Sequence, residues 1–188
     1  LSNQYYYDKC YPRKCVLQVR WQFWPDNTGQ LNPNWRSAWS GVKNAILANN
    51  NQDLLAGLYI IDEPFGPTIN VSLQNYELVL AQVKQDLPNL PIMAAFAKEN
   101  VYGSLPFVSG LDWVAVNRYD VTAANFSIVE ETQALLQSKQ PGKPIFVIPP
   151  THADVGASTD EQIARLNWLY YQMALNNNNV TGIMNFGL

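Results

Sequence analysis

The stretch Gly57-Leu58-Tyr59-Ile60-Ile61-Asp62-Glu63-Pro64 constrains this chain most. An apolar run of this length, rich in Ile and Tyr, reads as a buried strand. Pro64 lacks an N–H and turns Glu63 away from the helical region, so the strand ends there. Two adjacent carboxylates therefore sit where a buried strand reaches the surface. In a parallel sheet, open or closed, that end is where chemistry collects. The plainer alternative stays open: Asp62 caps a loop and Glu63 is solvated.

The chain has 188 residues, enough for a domain with a substantial core. Apolar residues make up 47% and charged residues only 14%, which is the composition of a folded protein. Net charge is −3 and no Lys/Arg cluster occurs, which argues against nucleic acid or an anionic membrane as partner. No apolar run approaches the roughly 20 residues a membrane span needs. The chain opens on Leu1 without an apolar leader and reads as processed or partial. Cys10 and Cys15 flank Pro12 closely enough for a local disulfide. Together with the single His152 they fall short of a four-ligand metal set, and no cofactor is called for. Sequons at Asn70, Asn125 and Asn179, with the low charge and the cysteine pair, favour a secreted protein. Two of these sequons equally read as helix starts.

Residues 1–15 lack periodicity and read as an irregular arm. From Val16 to Trp24 apolar and polar residues alternate, which predicts a strand with Arg20 on its polar face. Asn32-Pro33 predicts a helix start, followed on one face by Trp35, Trp39, Val42 and Ile46. The opening strand, Leu54 to Glu63, comes next. Ser72 is expected to cap a helix carrying Tyr76, Val79, Leu80 and Val83. Strands follow at 90–97 and 111–116, ending in Lys98-Glu99 and in Asn117-Arg118-Tyr119-Asp120. Ser127 to Glu130 and Ser158 to Glu161 have the spacing of capping boxes. Between those helices lies the strand 144–148, ending in Pro149-Pro150-Thr151-His152-Ala153-Asp154, and Val180 to Phe186 is the last strand.

Strict alternation of strand and helix predicts an α/β fold on a parallel sheet with right-handed crossovers. An open doubly wound sheet and a (β/α)8 barrel both satisfy it. No Gly-x-Gly-x-x-Gly and no phosphate loop follows any strand, which argues against a nucleotide-dependent enzyme. Polar groups at successive strand ends favour the barrel.

With Lys98-Glu99, Asn117-Arg118-Tyr119 and Thr151-His152 at later strand ends, the Asp62-Glu63-Pro64 strand resembles the later part of a glycoside-hydrolase TIM barrel. The resemblance covers about Val16 to Leu188. It implies a TIM-barrel-like domain over 16–188, comprising strands 3 to 8 and lacking the first two βα units. It also implies Glu63 as general acid/base. The chain departs from the pattern in two places. Pro149-Pro150-Thr151-His152 stands where a second Glu is usual, and Asn185-Phe186 where a Trp is common.

Glycoside hydrolysis needs two carboxyl groups, about 5–5.5 Å apart for retention and about 6.5–9.5 Å for inversion. Glu99, Asp120 and Asp154 are the candidates for the second. Asp62, Arg20, Trp24, Tyr119 and His152 are candidates for holding a sugar, and Trp21 is a further stacking surface. Each has a bland alternative: Asp120 as a turn former, Arg20 as a structural counter-charge, His152 as a loop donor. The rival function is a catalytically inactive barrel. It would serve as a carbohydrate-binding or structural module of an extracellular assembly, completed by other chains or a further segment.

Overall fold

A computed structural model describes residues 14–66, 68–118, 120–150 and 159–184 of the chain, the side chains at 49 and 50 excepted. Its strands are β1 (Cys15–Gln18), β2 (Leu55–Asp62), β3 (Ile92–Ala97), β4 (Trp113–Asn117), β5 (Ile145–Ile148) and β6 (Val180–Ile183). Its helices are α1 (Arg20–Phe23), α2 (Trp35–Leu47), α3 (Leu73–Asp86), α4 (Lys98–Tyr102), α5 (Ser127–Lys139) and α6 (Asp160–Asn176). The strands form one sheet in the order β1-β2-β3-β4-β5-β6, and the α/β reading holds. Pairing is parallel, with Leu17 opposite Leu58, Val116 opposite Val147 and Phe146 opposite Gly182.

The chain divides into two compact units. The first comprises Leu1–Ala94 with Val108–Asp112, and the second Ala95–Phe107 with Trp113–Leu188. In the first, Gly57 to Ile61 are all buried, as a strand covered on both faces requires. Phe23 is the hub of an aromatic core, its ring centre 5.8 Å from those of Trp24 and Trp35 and 5.6 Å from that of Trp39. The Trp39 indole N–H donates to Asp86 Oδ2 at 2.8 Å, which ties α2 to the end of α3. Desolvation pushes this carboxyl upward, but Trp39, with Gln82 donating at 3.1 Å and Lys43 at 3.4 Å, outweighs it and holds the group below the usual carboxylate range. In the second unit Val121, Val129, Val147, Leu166, Tyr170, Met173 and Val180 form the core.

The structure corrects several local expectations. The strand foreseen over Val16 to Trp24 ends at Gln18. Val19 makes the last sheet contact, its N–H reaching Tyr59 O at 3.0 Å, and the chain then winds into α1. The helical turn buries both Phe23 and Trp24, which strict alternation would have placed on opposite faces. α2 starts at Trp35, after Asn32 Oδ1 has accepted the Asn34 N–H at 2.9 Å. Ser72 caps α3 as expected, accepting the Asn75 N–H at 3.2 Å. The box foreseen at Ser127 does not form: α5 starts without a side-chain cap. The box nearby, in which Asn125 Oδ1 accepts from the Thr122 N–H at 2.6 Å, belongs to a short 3-10 turn, Ala123–Asn125, ahead of α5. Before α6 the cap is Thr159, accepting the Gln162 N–H at 3.3 Å. Ser158 lies outside the described residues.

One glycine fixes the surroundings of the opening stretch. Gly29 has φ +76°, and a Cβ there would lie 2.4 Å from the carbonyl oxygen of Asn70. Gly29→Ala therefore combines left-handed strain with a backbone clash and is expected to destabilise by about 2 kcal/mol or more. Gly41, in α2, has nothing within 4 Å of its Cβ position. Gly41→Ala is expected to stabilise by about 0.5–1 kcal/mol through helix propensity. Thermal melts of the two variants check both signs at once.

Candidate functional site

Glu63 is the one described residue other than glycine with positive φ, at 48°. Burial on both faces of β2 leaves no room for a charge before Asp62, and Pro64 forbids continuation of the strand. The chain reverses immediately. The Gly66 N–H closes a turn on Glu63 O at 2.9 Å, and the Val71 N–H returns to Pro64 O at 2.8 Å. Phe65 and Asn70 form an antiparallel bridge across this loop. Glu63 is thus half-buried at the C-terminal end of a parallel strand.

Asp62 beside it is also half-buried. Desolvation pushes its carboxyl above the ordinary value, and neither the Tyr59 hydroxyl, donating to Oδ1 at 2.6 Å, nor the Arg20 charge reverses this. Arg20 is held by its own loop. Its Nη2 donates to Asp26 O at 3.1 Å and to Asn27 Oδ1. Its guanidinium also lies 4.8 Å from the centre of the Trp21 ring. Trp21 is 57% exposed, whereas Trp24 is wholly buried against Phe23 and Tyr76. Trp24 is therefore a core residue and not the stacking platform expected of it.

The second unit gathers its own charges after β3 and β4. Lys98 follows β3 directly, and its Nζ lies 2.5 Å from Asp120 Oδ2 and 3.9 Å from Glu99 Oε1. Glu99 sits in the first turn of α4, 56% exposed at its side chain. Arg118 is buried and donates to Asp120 Oδ1 at 2.9 Å and to Thr132 Oγ1 at 2.9 Å. Desolvation pushes Asp120 upward, but the Lys98 hydrogen bond and the Arg118 charge outweigh it and hold the carboxyl below its usual range. Asp120 is thus an ionised group in a cationic clamp.

The structure brings Asp62, Glu63 and the Arg20 charge together in one unit, and Glu99 with Asp120 around Lys98 in the other. Tyr119, His152, Asp154 and Cys10 lie outside the described residues, and with Cys10 the pairing expected of Cys15. Asn70 and Asn179 are exposed, and Asn125 is half-buried with its Oδ1 in the capping interaction. Sequence reasoning missed three groups: Tyr59 on Asp62, the Lys98–Arg118 clamp, and Gly66 beside Glu63. Only the clamp had a signal, two basic residues placed like the acids just beyond strands.

No protein-family model matches the sequence, and no curated protein sequence matches it. Solved structures do match. A sialic acid aldolase of Ruminococcus gnavus aligns with TM-score 0.55 and 15% identity over 93% of this chain and 55% of its own. An active-site mutant of the β-1,3-glucanosyltransferase of Rhizomucor miehei, in complex with laminaritriose, aligns with TM-score 0.61 and 19% identity, covering 81% of this chain and 61% of its own. The β-D-glucuronidase of Dictyoglomus thermophilum gives TM-score 0.61 and 14% identity, over 84% of this chain and 29% of its own. This chain thus spans between 29% and 61% of the length of these neighbours. They are TIM-barrel proteins of the glycoside-hydrolase and aldolase kind. The likeness shows a shared fold: six parallel strands with their helices, matching part of a TIM barrel.

Proposed function

We propose that this chain is a glycoside-hydrolase-like protein acting on an extracellular poly- or oligosaccharide, with Glu63 as general acid/base. The observation that supports this most is the backbone of Glu63. A carboxylate in the left-handed region, at the end of a doubly buried strand, is an uncommon and costly placement that functional sites tolerate. In its protonated form Glu63 would give its proton to the glycosidic oxygen of the departing sugar. As a carboxylate it would then take one from the attacking water or hydroxyl. Asp62, desolvated and fixed by Tyr59, would hold a sugar hydroxyl, and exposed Trp21 would offer a ring face for stacking.

Asp120 gives the rival reading its support. A carboxylate neutralised by Lys98 and Arg118 also suits a purely structural role, as an inactive carbohydrate-binding module would have. Turnover separates the two. Glu63→Gln is expected to lower kcat on laminaritriose by about 10²–10⁴-fold while leaving the melting temperature close to wild type. Unchanged turnover would reject the acid/base role, and sugar binding without turnover in the wild-type protein would favour the module. Among Glu99→Gln and Asp120→Asn, a loss as deep as that of Glu63→Gln identifies the second carboxyl.

Asp62 also gives a pH signature. Its folded-state pKa lies above the unfolded value, so ionisation costs stability as pH rises from the ordinary carboxylate range. Asp62→Asn keeps an acceptor for the Tyr59 hydroxyl and removes the desolvated charge. The variant is expected to be at least as stable as wild type at pH 7. The difference should vanish below about pH 3.8, the ordinary value for the group. Denaturant titrations at both pH values decide it.

For the extracellular setting, we propose a Cys10–Cys15 disulfide and glycans on Asn70, Asn125 and Asn179. Intact mass of the native secreted protein, before and after reduction with alkylation and after deglycosylation, tests each one.

A further inference from the structure

An L-residue in the left-handed region brings its Cβ too close to the following carbonyl, and glutamate visits that region less readily than Asn or Asp. Glu63 is held there by its surroundings. The turn to Gly66, the return of Val71 to Pro64 and the Phe65–Asn70 bridge close the loop on itself. Gly29 lies against the Asn70 carbonyl from outside the loop. Such a conformation persists only where neighbours over-determine it.

Gly66 completes the arrangement. A Cβ at position 66 would sit 3.1 Å from Glu63 O, 3.4 Å from Glu63 Cβ and 3.7 Å from Glu63 Oε2. The lack of a side chain at 66 therefore spares the Glu63 carbonyl a tight contact, while a Cβ would meet the carboxylate only at ordinary van der Waals distance. The turn that strains the Glu63 backbone is the same turn that places Gly66 next to its carboxylate.

We infer that Glu63 is a carboxylate aimed by backbone strain, and that Gly66 is the positioning residue whose bare Cα leaves the Glu63 carbonyl room to close the turn. The inference rests on the reading of Glu63 as the acid/base. The strain is tested without any substrate. Glu63→Gly and Glu63→Ala both remove the carboxylate and differ only in the Cβ. Glu63→Gly is expected to melt about 2–4 °C above Glu63→Ala, even though glycine gains more freedom on unfolding. An equal or lower melting temperature overturns the strain.

Positioning is tested with Gly66→Ala. Its kcat on laminaritriose is expected to fall about 10- to 100-fold with KM within about twofold of wild type. Independently of turnover, the ¹³C carboxyl resonance of Glu63 is expected to shift. Gly41→Ala, whose Cβ meets nothing, is the control and should leave both unchanged. An unmoved resonance with unmoved kcat overturns the positioning role. Full turnover of Glu63→Gln would remove the acid/base reading, while the comparison of glycine with alanine at 63 would still stand or fall on its own.

Discussion

In β3 every residue from Ile92 to Ala97 is buried, and in β2 burial is unbroken from Gly57 to Ile61. A strand covered on both faces has nowhere along its length to carry a charge, because an unpaired buried charge costs far more than the fold can supply. Charge is displaced to the strand ends. That constraint places Asp62 and Glu63 at the very end of β2, Lys98 and Glu99 after β3, and Arg118 and Asp120 after β4. It also separates the aromatic residues into those that fill the core, such as Phe23 and Trp24, and the few left in solvent, such as Trp21.

Asp62 and Asp120, both outside the helices, have opposite environments. Asp62 gains one hydrogen bond from Tyr59 and loses more by desolvation, so its charge is a burden on the fold. Asp120 is the better compensated, with Lys98 and Arg118 both in contact, and its charge is welcome. Groups that weaken a fold and persist are better functional suspects than groups that strengthen it. By that measure the neighbourhood of Glu63 outranks that of Asp120.

Much of the architecture was legible because it follows from period and punctuation. Continuous apolar runs marked strands, and Trp35, Trp39 and Ile46 marked one face of a helix. What was not legible followed from geometry that period ignores. Tyr59 and Asp62 are three apart on a strand, so alternation assigns them to opposite faces. The tyrosine hydroxyl nonetheless reaches Asp62 Oδ1 at 2.6 Å. The alternating run through Arg20 mimicked a strand, yet sheet pairing stops at Val19, where the chain winds into a helical turn. The capping spacing at Ser127 is not used: Thr122 and Asn125 form the box of a short 3-10 turn, Ala123–Asn125, and α5 starts after Phe126 with no side-chain cap. Gly66 carried no signal at all, since only the folded turn reveals what its missing Cβ would touch.

Two of the three sequons are built into helix starts. Ser72, the third residue of the first, accepts the Asn75 N–H, and Asn125, the first residue of the second, accepts from Thr122. Any use of these sequons and the capping of the helices thus draw on the same side chains, and substitution at Ser72 or Asn125 would not test a proposed glycan alone. A lower yield of a Ser72→Ala variant would follow from a frayed helix whether or not Asn70 carries the proposed sugar. Asn70→Gln leaves the Ser72 cap in place, and Asn179, exposed before β6, offers a sequon that starts no helix.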